Sequence, residues 1–201
     1  MVGVDKTEVR AGIIGEIGCS LPLEETERRV LRASVAAQQQ TGAAINIHPS
    51  PTDDLVLEII KILDDAGADL SRTIISHVDN MCFSRTTRHG IADAGCYLEY
   101  DCFGYADLFP PYPGRRLDIP SPTQRINDII QLIADGYLDQ ILISGDICFK
   151  HQLVSYGGYG YAHILRDIVP LMRNKGMSGE QIHTLLVENP KRVLPFASVK
   201  Q

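Results

Sequence analysis

Four short apolar runs in this chain each carry, at or near the C-terminal end, a residue type that binds metal ions. They are Ala11-Gly12-Ile13-Ile14-Gly15-Glu16-Ile17-Gly18, Ile45-Asn46-Ile47-His48, Thr73-Ile74-Ile75-Ser76-His77 and Gln140-Ile141-Leu142-Ile143-Ser144-Gly145-Asp146. Runs of this length rich in β-branched residues read as strands, and strands apolar on both faces belong inside a parallel sheet covered by helices. The Glu16 run, hemmed by glycines, is expected in the middle of that sheet. An ionised carboxylate is costly there unless it is paired or bound to a cation. One strand with a polar end constrains little. A series ending in Glu, His, His and Asp places a candidate metal site at the carboxyl edge of the sheet.

Between these runs the periodicity is helical. Leu21-Pro22 opens a helix reaching Gln40, with Gly42 as its stop. Ser50-Pro51-Thr52-Asp53 reads as an N-cap, a first-turn proline and an acidic third position, leading a helix through Leu55, Ile59, Ile60, Ile62 and Leu63 to Gly67. A weaker helix over 84–94 precedes a strand over 96–101. The Pro/Gly/aromatic stretch 103–121 is longer than a usual βα connection, so it is a candidate site wall or lid. Ser121-Pro122 starts the next helix, which stops at Gly136. After the Asp146 strand come a Gly/Tyr loop (156–161), a helix from His163 to Asn174, and a Ser178-x-x-Gln181 capping box whose helix is expected to end at Asn189-Pro190.

Strands alternating with helices predict an α/β fold of βα units with a parallel sheet. Two architectures satisfy that pattern: an open doubly wound sheet, or part of a (β/α)8 TIM barrel. A whole barrel takes about 250 residues, against the 201 present. Open nucleotide-binding sheets carry a phosphate loop. Here Gly12-x-x-Gly15-x-x-Gly18 has the wrong spacing and no G-x-x-x-x-G-K-[ST] occurs, which disfavours a Rossmann-like binding protein. Ligand-type residues at several strand ends favour the barrel. No linker or low-complexity segment interrupts the chain, so a single domain over 1–201 is expected.

Composition narrows the partners. A net charge of −6 without a Lys/Arg cluster argues against nucleic acid. Cys19, Cys82, Cys96, Cys102 and Cys148 form no CxxC pair, and their odd number suits a reducing compartment. Met1 is followed by Val-Gly-Val-Asp-Lys, which is no signal peptide, and no apolar run approaches membrane-spanning length. A cytosolic protein with a small-molecule substrate and neither nucleic-acid nor membrane partners is expected.

Imidazole nitrogens and carboxylate oxygens suit zinc, manganese or similar divalent ions. Glu16 could bridge two ions through its two oxygens, with His48 and His77 completing the protein ligands of one. Asp146 could bind the other and accept a proton from a water acidified by the metal. Taken singly, each residue has a plainer reading. His48, before Pro49, could be a helix-start or hydrogen-bonded histidine, as could His77; Glu16 could pair with an arginine; Asp146 could cap the loop after it. Their joint occurrence at four strand ends is what favours a metal. Among weaker candidates, the Tyr156–Tyr161 loop would overhang such a site, and His151 and Arg115 lie in loops where an anionic substrate could meet them. His89, His163 and His183 fall in helical stretches and read as structural or exposed. Cys19 reads as a small buried thiol near the Glu16 strand end.

The motifs Gly15-Glu16-Ile17-Gly18, Asn46-Ile47-His48-Pro49, Ser76-His77-Val78-Asp79 and Ser144-Gly145-Asp146 resemble those of strands four, five, six and eight in the phosphotriesterase family of the amidohydrolase superfamily. Glu188-Asn189-Pro190-x-Arg192-Val193-Leu194 resembles that family's C-terminal signature. The resemblance covers essentially the whole chain. It implies a metal-dependent hydrolase with two divalent ions, zinc foremost, on a (β/α)8 barrel. Glu16 falls where many relatives carry a carboxylated lysine bridging the metals. His48 and His77 match ligands of the more exposed ion; Asp146 matches the ligand of the buried ion and the proton acceptor. The family's first strand supplies a His-x-His pair, and no His-x-His occurs in this sequence. The chain is therefore expected to hold strands four to eight without the first three βα units. That would leave a sheet edge open to a partner or a second copy. The implied substrates are amides or esters, foremost small N-acyl amines such as N-acetyltaurine. The alternatives are a truncated non-catalytic form keeping a partial metal site, and a phosphotriesterase or lactonase activity.

Overall fold

Five strands pair in parallel in their chain order in the computed structural model, which describes residues 3–81, 83–105 and 120–198. They are β1 (Ile14–Gly18), β2 (Ile45–His48), β3 (Thr73–Ile75), β4 (Tyr97–Tyr100) and β5 (Ile141–Ile143). Each of the first four is followed by a helix: α1 (Glu25–Thr41), α2 (Asp53–Asp65), α3 (Arg85–Asp93) and α4 (Pro122–Ala134). After β5 the chain runs through short turns into α5 (Val169–Asn174), α6 (Gly179–His183) and α7 (Asn189–Val193).

Alternation along the strands sets the layers. Ile45, Ile47, Ile75, Leu98 and Ile141 are fully buried against Leu31 and Val35 of α1, Val56, Ile59 and Leu63 of α2, Ile91 of α3, and Ile126 and Ile129 of α4. The intervening residues Ile74, Tyr97 and Leu142 form a smaller cluster with Ala44 and Val193. Helix starts are capped as their sequences predict at Ser121 and Ser178, where each serine accepts from the backbone three residues on and the glutamine there reaches back. Ser84 caps α3 with its side chain alone, accepting from the Thr87 amide.

Four details differ from the sequence reading. First, β1 is an edge strand that pairs only with β2 among the described residues, and it is largely exposed rather than central. Second, α1 starts at Glu25, beyond Pro22, where Glu24 and Glu27 form the capping box. Third, the N-cap of α2 is Thr52, because buried Ser50 is spent in a turn in which its carbonyl accepts from the Thr52 amide at 2.9 Å.

Fourth, Pro190 does not end the last helix. A π turn over Thr184–Glu188 precedes it, and the helical run continues through α7. A second π turn, Ile164–Ile168, stands in the same relation to Pro170 in α5. Proline lacks an N–H and its ring crowds the carbonyl four residues back. The wider π turn takes up that misfit, so the helix bends its bonding rather than stopping.

Asn189 shows what the C-terminal signature does locally. Fully buried, it donates through Nδ2 to the carbonyls of Leu138 (2.9 Å) and Ile141 (2.6 Å), pinning α7 to the start of β5. Arg72 fastens the same helix through the carbonyls of Arg192 and Val193.

Candidate metal centre

The pairing of β1 with β2 slips between Ile14 and Ile17, a local irregularity that re-aims the residue inside it. Gly15 makes the slip feasible. Its φ is +123°, and a Cβ there would sit 2.4 Å from the Asn46 carbonyl oxygen. The residue re-aimed is Glu16, whose Oε1 lies 2.8 Å from His77 Nε2 and 3.5 Å from His48 Nδ1. His48 Nδ1 and His77 Nε2 are themselves 2.8 Å apart, with their rings edge to face at 74°. Three ligand-type atoms from β1, β2 and the turn after β3 thus surround one point at the carboxyl edge of the sheet.

His77 lies beyond the end of β3, at a left-handed φ of +56°. That conformation costs a non-glycine residue roughly 1–2 kcal/mol, so neighbours must enforce it. Asp101, just past β4, does so with both oxygens: Oδ2 accepts from the His77 amide at 3.0 Å and Oδ1 meets Nδ1 at 2.9 Å. This leaves Nε2 facing Glu16 and His48. A carboxylate behind a histidine is how metal-binding imidazoles are held in orientation and tautomer.

The electrostatics follow from these contacts. Burial disfavours charge on Glu16, but hydrogen bonds from His48 and His77 outweigh it and hold its carboxyl down at about 2. Burial likewise works against protonated His77, yet the bonds to Asp101 and Glu16 raise it to about 11. A proton therefore sits between carboxylates where a cation of higher charge would fit the same donors. Two imidazoles and a carboxylate are a donor set of the zinc type, and the residues present fit such an ion.

Asp146 also occupies a left-handed position, φ +41°, three residues past β5. Its carboxylate does not join Glu16 and His48 in one group. It forms a second group with His77 and Cys102, whose ligand atoms all lie within 4.8 Å of one another. The Tyr105 hydroxyl is its hydrogen-bond partner. His77 is the member shared by the two groups.

Sequence reading missed Asp101, which carries no signal beyond lying at the end of β4. It also missed the charges beneath. Buried Asp79 takes Arg125 Nε of α4 at 2.7 Å, and Arg125 is itself fully buried over the Phe103 ring. Burial and nearby Asp101 raise Asp79 to about 7. On the sheet, Ser76 Oγ lies 2.5 Å from Asn46 Oδ1 and 2.8 Å from Glu99 Oε2, a polar layer next to the ligands.

The weaker candidates fall elsewhere. His151 is exposed and stacked on Phe149, and Arg115 lies outside the described residues. Tyr156, Tyr159 and Tyr161 of the glycine-rich loop are exposed. His89 pairs with Asp135, exposed His183 with Glu188, and buried His163 with Asp167. Cys19 is buried, and burial raises its thiol to about 12.

Ligand-type side chains gathered at the carboxyl edge of parallel βα strands place the chain among the (β/α)-barrel proteins. It belongs to the phosphotriesterase family, whose sequence profile matches residues 1–194. It is 49% identical over 194 residues to an N-acetyltaurine hydrolase of Dictyostelium discoideum, covering 96% of this chain and 52% of that protein. It is 47% identical over 196 residues to a phosphotriesterase-related protein of Nematostella vectensis, covering 97% and 55%. The crystal structure of a resiniferatoxin-binding protein from Rhodobacter sphaeroides superposes with a TM-score of 0.90 at 34% identity, over 100% of this chain and 55% of that one. The chain spans about half the length of the curated relatives it matches. Its five parallel strands with their covering helices form part of a barrel of that family. No helix among the described residues is long and apolar enough to cross a membrane.

Proposed function

We propose that this chain, as one domain over 1–201, carries the carboxyl-terminal part of a metal-dependent hydrolase site acting on an amide or ester carbonyl. The observation that carries the reading is the convergence of Glu16 Oε1, His48 Nδ1 and His77 Nε2 on one point at the strand ends. These residues would hold one divalent ion, zinc foremost. Asp146, grouped with His77 and Cys102, would help to hold a second. When bound, such ions supply Lewis acidity, which acidifies water and polarises a carbonyl.

The chain's own residues do the rest. Asp101 keeps the His77 ring turned with Nε2 towards Glu16. Asp146 takes the proton from the attacking water, and the Tyr105 hydroxyl holds its carboxylate in place. The relative named an N-acetyltaurine hydrolase makes small N-acyl amines the first substrate class to try, with N-acetyltaurine at its head. Unpaired Cys19, Cys96, Cys102 and Cys148 agree with a cytosolic location.

A second reading is a non-catalytic form with a partial metal site, since these 201 residues contain no His-x-His pair. Metal content by elemental mass spectrometry separates the two, comparing the chain with a Glu16→Ala/His48→Ala variant beside an N-acyl amine hydrolysis assay. Near-stoichiometric metal, lost in the variant and accompanied by turnover, is the expected result. Metal without turnover selects the second reading. No specific metal in folded protein ends both.

A further inference from the structure

Six residues beyond Asp146, the side chain of Gln152 is buried and spends its whole amide on neighbouring backbone. Nε2 donates to the Asp146 carbonyl at 3.0 Å and reaches the Gly104 carbonyl at 3.5 Å. Oε1 accepts from the Cys148 amide at 2.9 Å and the Phe149 amide at 2.7 Å. A glutamine amide has two donor and two acceptor positions, so all are in use and its orientation is fixed by the two N–H groups it must accept from.

The backbone around it is equally committed. The Gln152 carbonyl accepts from the Gly160 amide at 2.9 Å. A Cβ on Gly158 would lie 2.2 Å from the Gln152 carbonyl, and one on Gly104 would lie 2.0 Å from the Gly145 oxygen. The loop after β4, the loop after β5 and the glycine-rich turn therefore meet backbone to backbone at this side chain.

We propose that Gln152 is a positioning residue for Asp146: its amide clamps the Asp146 carbonyl and the two amides beyond it, enforcing the left-handed backbone that turns the carboxylate towards His77, Cys102 and Tyr105. A left-handed aspartate persists only where its surroundings over-determine it. Gln152 binds the carbonyl of this one and the amides of Cys148 and Phe149 on its C-terminal side. The inference rests on the reading of Asp146 as a ligand and proton acceptor.

Gln152→Glu keeps oxygens for the Cys148 and Phe149 amides but removes the donor to Asp146. Gln152→Met has equal length and no charge, so it removes all four bonds without facing a carboxylate to the Asp146 carbonyl. Two measurements on the full 201-residue chain test the proposal. The first is a crystal structure of each variant without added metal. Asp146 is expected to leave its left-handed φ and its carboxylate to leave Tyr105; an unchanged Asp146 overturns the proposal.

The second is cobalt(II) affinity by competition titration, with Asp146→Asn as the reference. Both Gln152 variants and the reference are expected to weaken binding by about tenfold to a hundredfold. A Gln152 variant that binds like the parent while Asp146→Asn is weakened overturns the proposal. If Asp146→Asn itself binds like the parent, the reading of Asp146 as a ligand fails, and the crystallographic comparison alone decides whether Gln152 positions it. Failure of both Gln152 variants to fold would also overturn it, because the residue would then serve the whole fold rather than one side chain.

Discussion

Asp101 accepts from the His77 backbone amide through Oδ2, and its Oδ1 stands 2.9 Å from Nδ1, where it can only accept when ionised and so favours a proton on that nitrogen. An asparagine at that position can donate as well as accept, so it no longer dictates which ring nitrogen is protonated. Asp101→Asn should therefore weaken zinc binding by about tenfold to a hundredfold while leaving the three-atom cluster in place. Competition against a chromophoric chelator reads the affinity. Unchanged affinity would show that His77 is oriented by packing alone. The ligand types were legible from the sequence because Glu16, His48, His77 and Asp146 each follow an apolar run. Asp101 was not, since an aspartate after a strand is common and its partner lies 24 residues away.

At the scale of elements, one acidic residue joins two helices. Asp135, at the end of α4, takes Arg85 of α3 at 2.6 Å and His89 at 2.9 Å. Desolvation opposes its ionisation, but the bonds from Arg85, His89 and Gln131 outweigh this and lower its pKa. A carboxylate depressed on folding contributes stability above its unfolded value, about 3.9, and loses it as pH falls through the folded value. Asp135→Asn should thus be less stable than the parent at pH 6, with the gap closing as pH drops below about 4. Urea unfolding midpoints across that range check the sign. Helix placement was legible wherever serine and glutamine form a cap, as at Ser121 and Ser178. It was misread at Pro190, because a π turn upstream is set by packing and leaves no local mark.

For the whole molecule, metal and folding are linked. A ligand that binds only the folded chain stabilises it by about 2.7 kcal/mol at a hundred times its dissociation constant. If Glu16, His48 and His77 hold an ion, added zinc should raise the melting temperature of the parent and leave Glu16→Ala/His48→Ala unmoved. Differential scanning calorimetry with and without chelator reads this directly. An equal shift in both proteins would place the zinc elsewhere. The comparison needs no turnover, so it applies to a chain about half as long as its curated relatives.

The sequence by itself determined the βα alternation, the parallel sheet, the strand-end ligand types and the family. These depend on local hydrophobic period and on short motifs, which a chain displays before it folds. Tertiary structure alone decided that β1 lies at an edge, that Glu16 is re-aimed by a slip opposite Asn46, and that Asp146 meets His77 beside Cys102 rather than beside Glu16 and His48. It also decided that Asp101, Tyr105 and Gln152 stand behind the ligands. Each of those contacts joins residues on different strands and loops, and their partners are chosen by the register and close approach of backbones. Periodicity records which face a residue occupies, but not who meets it there.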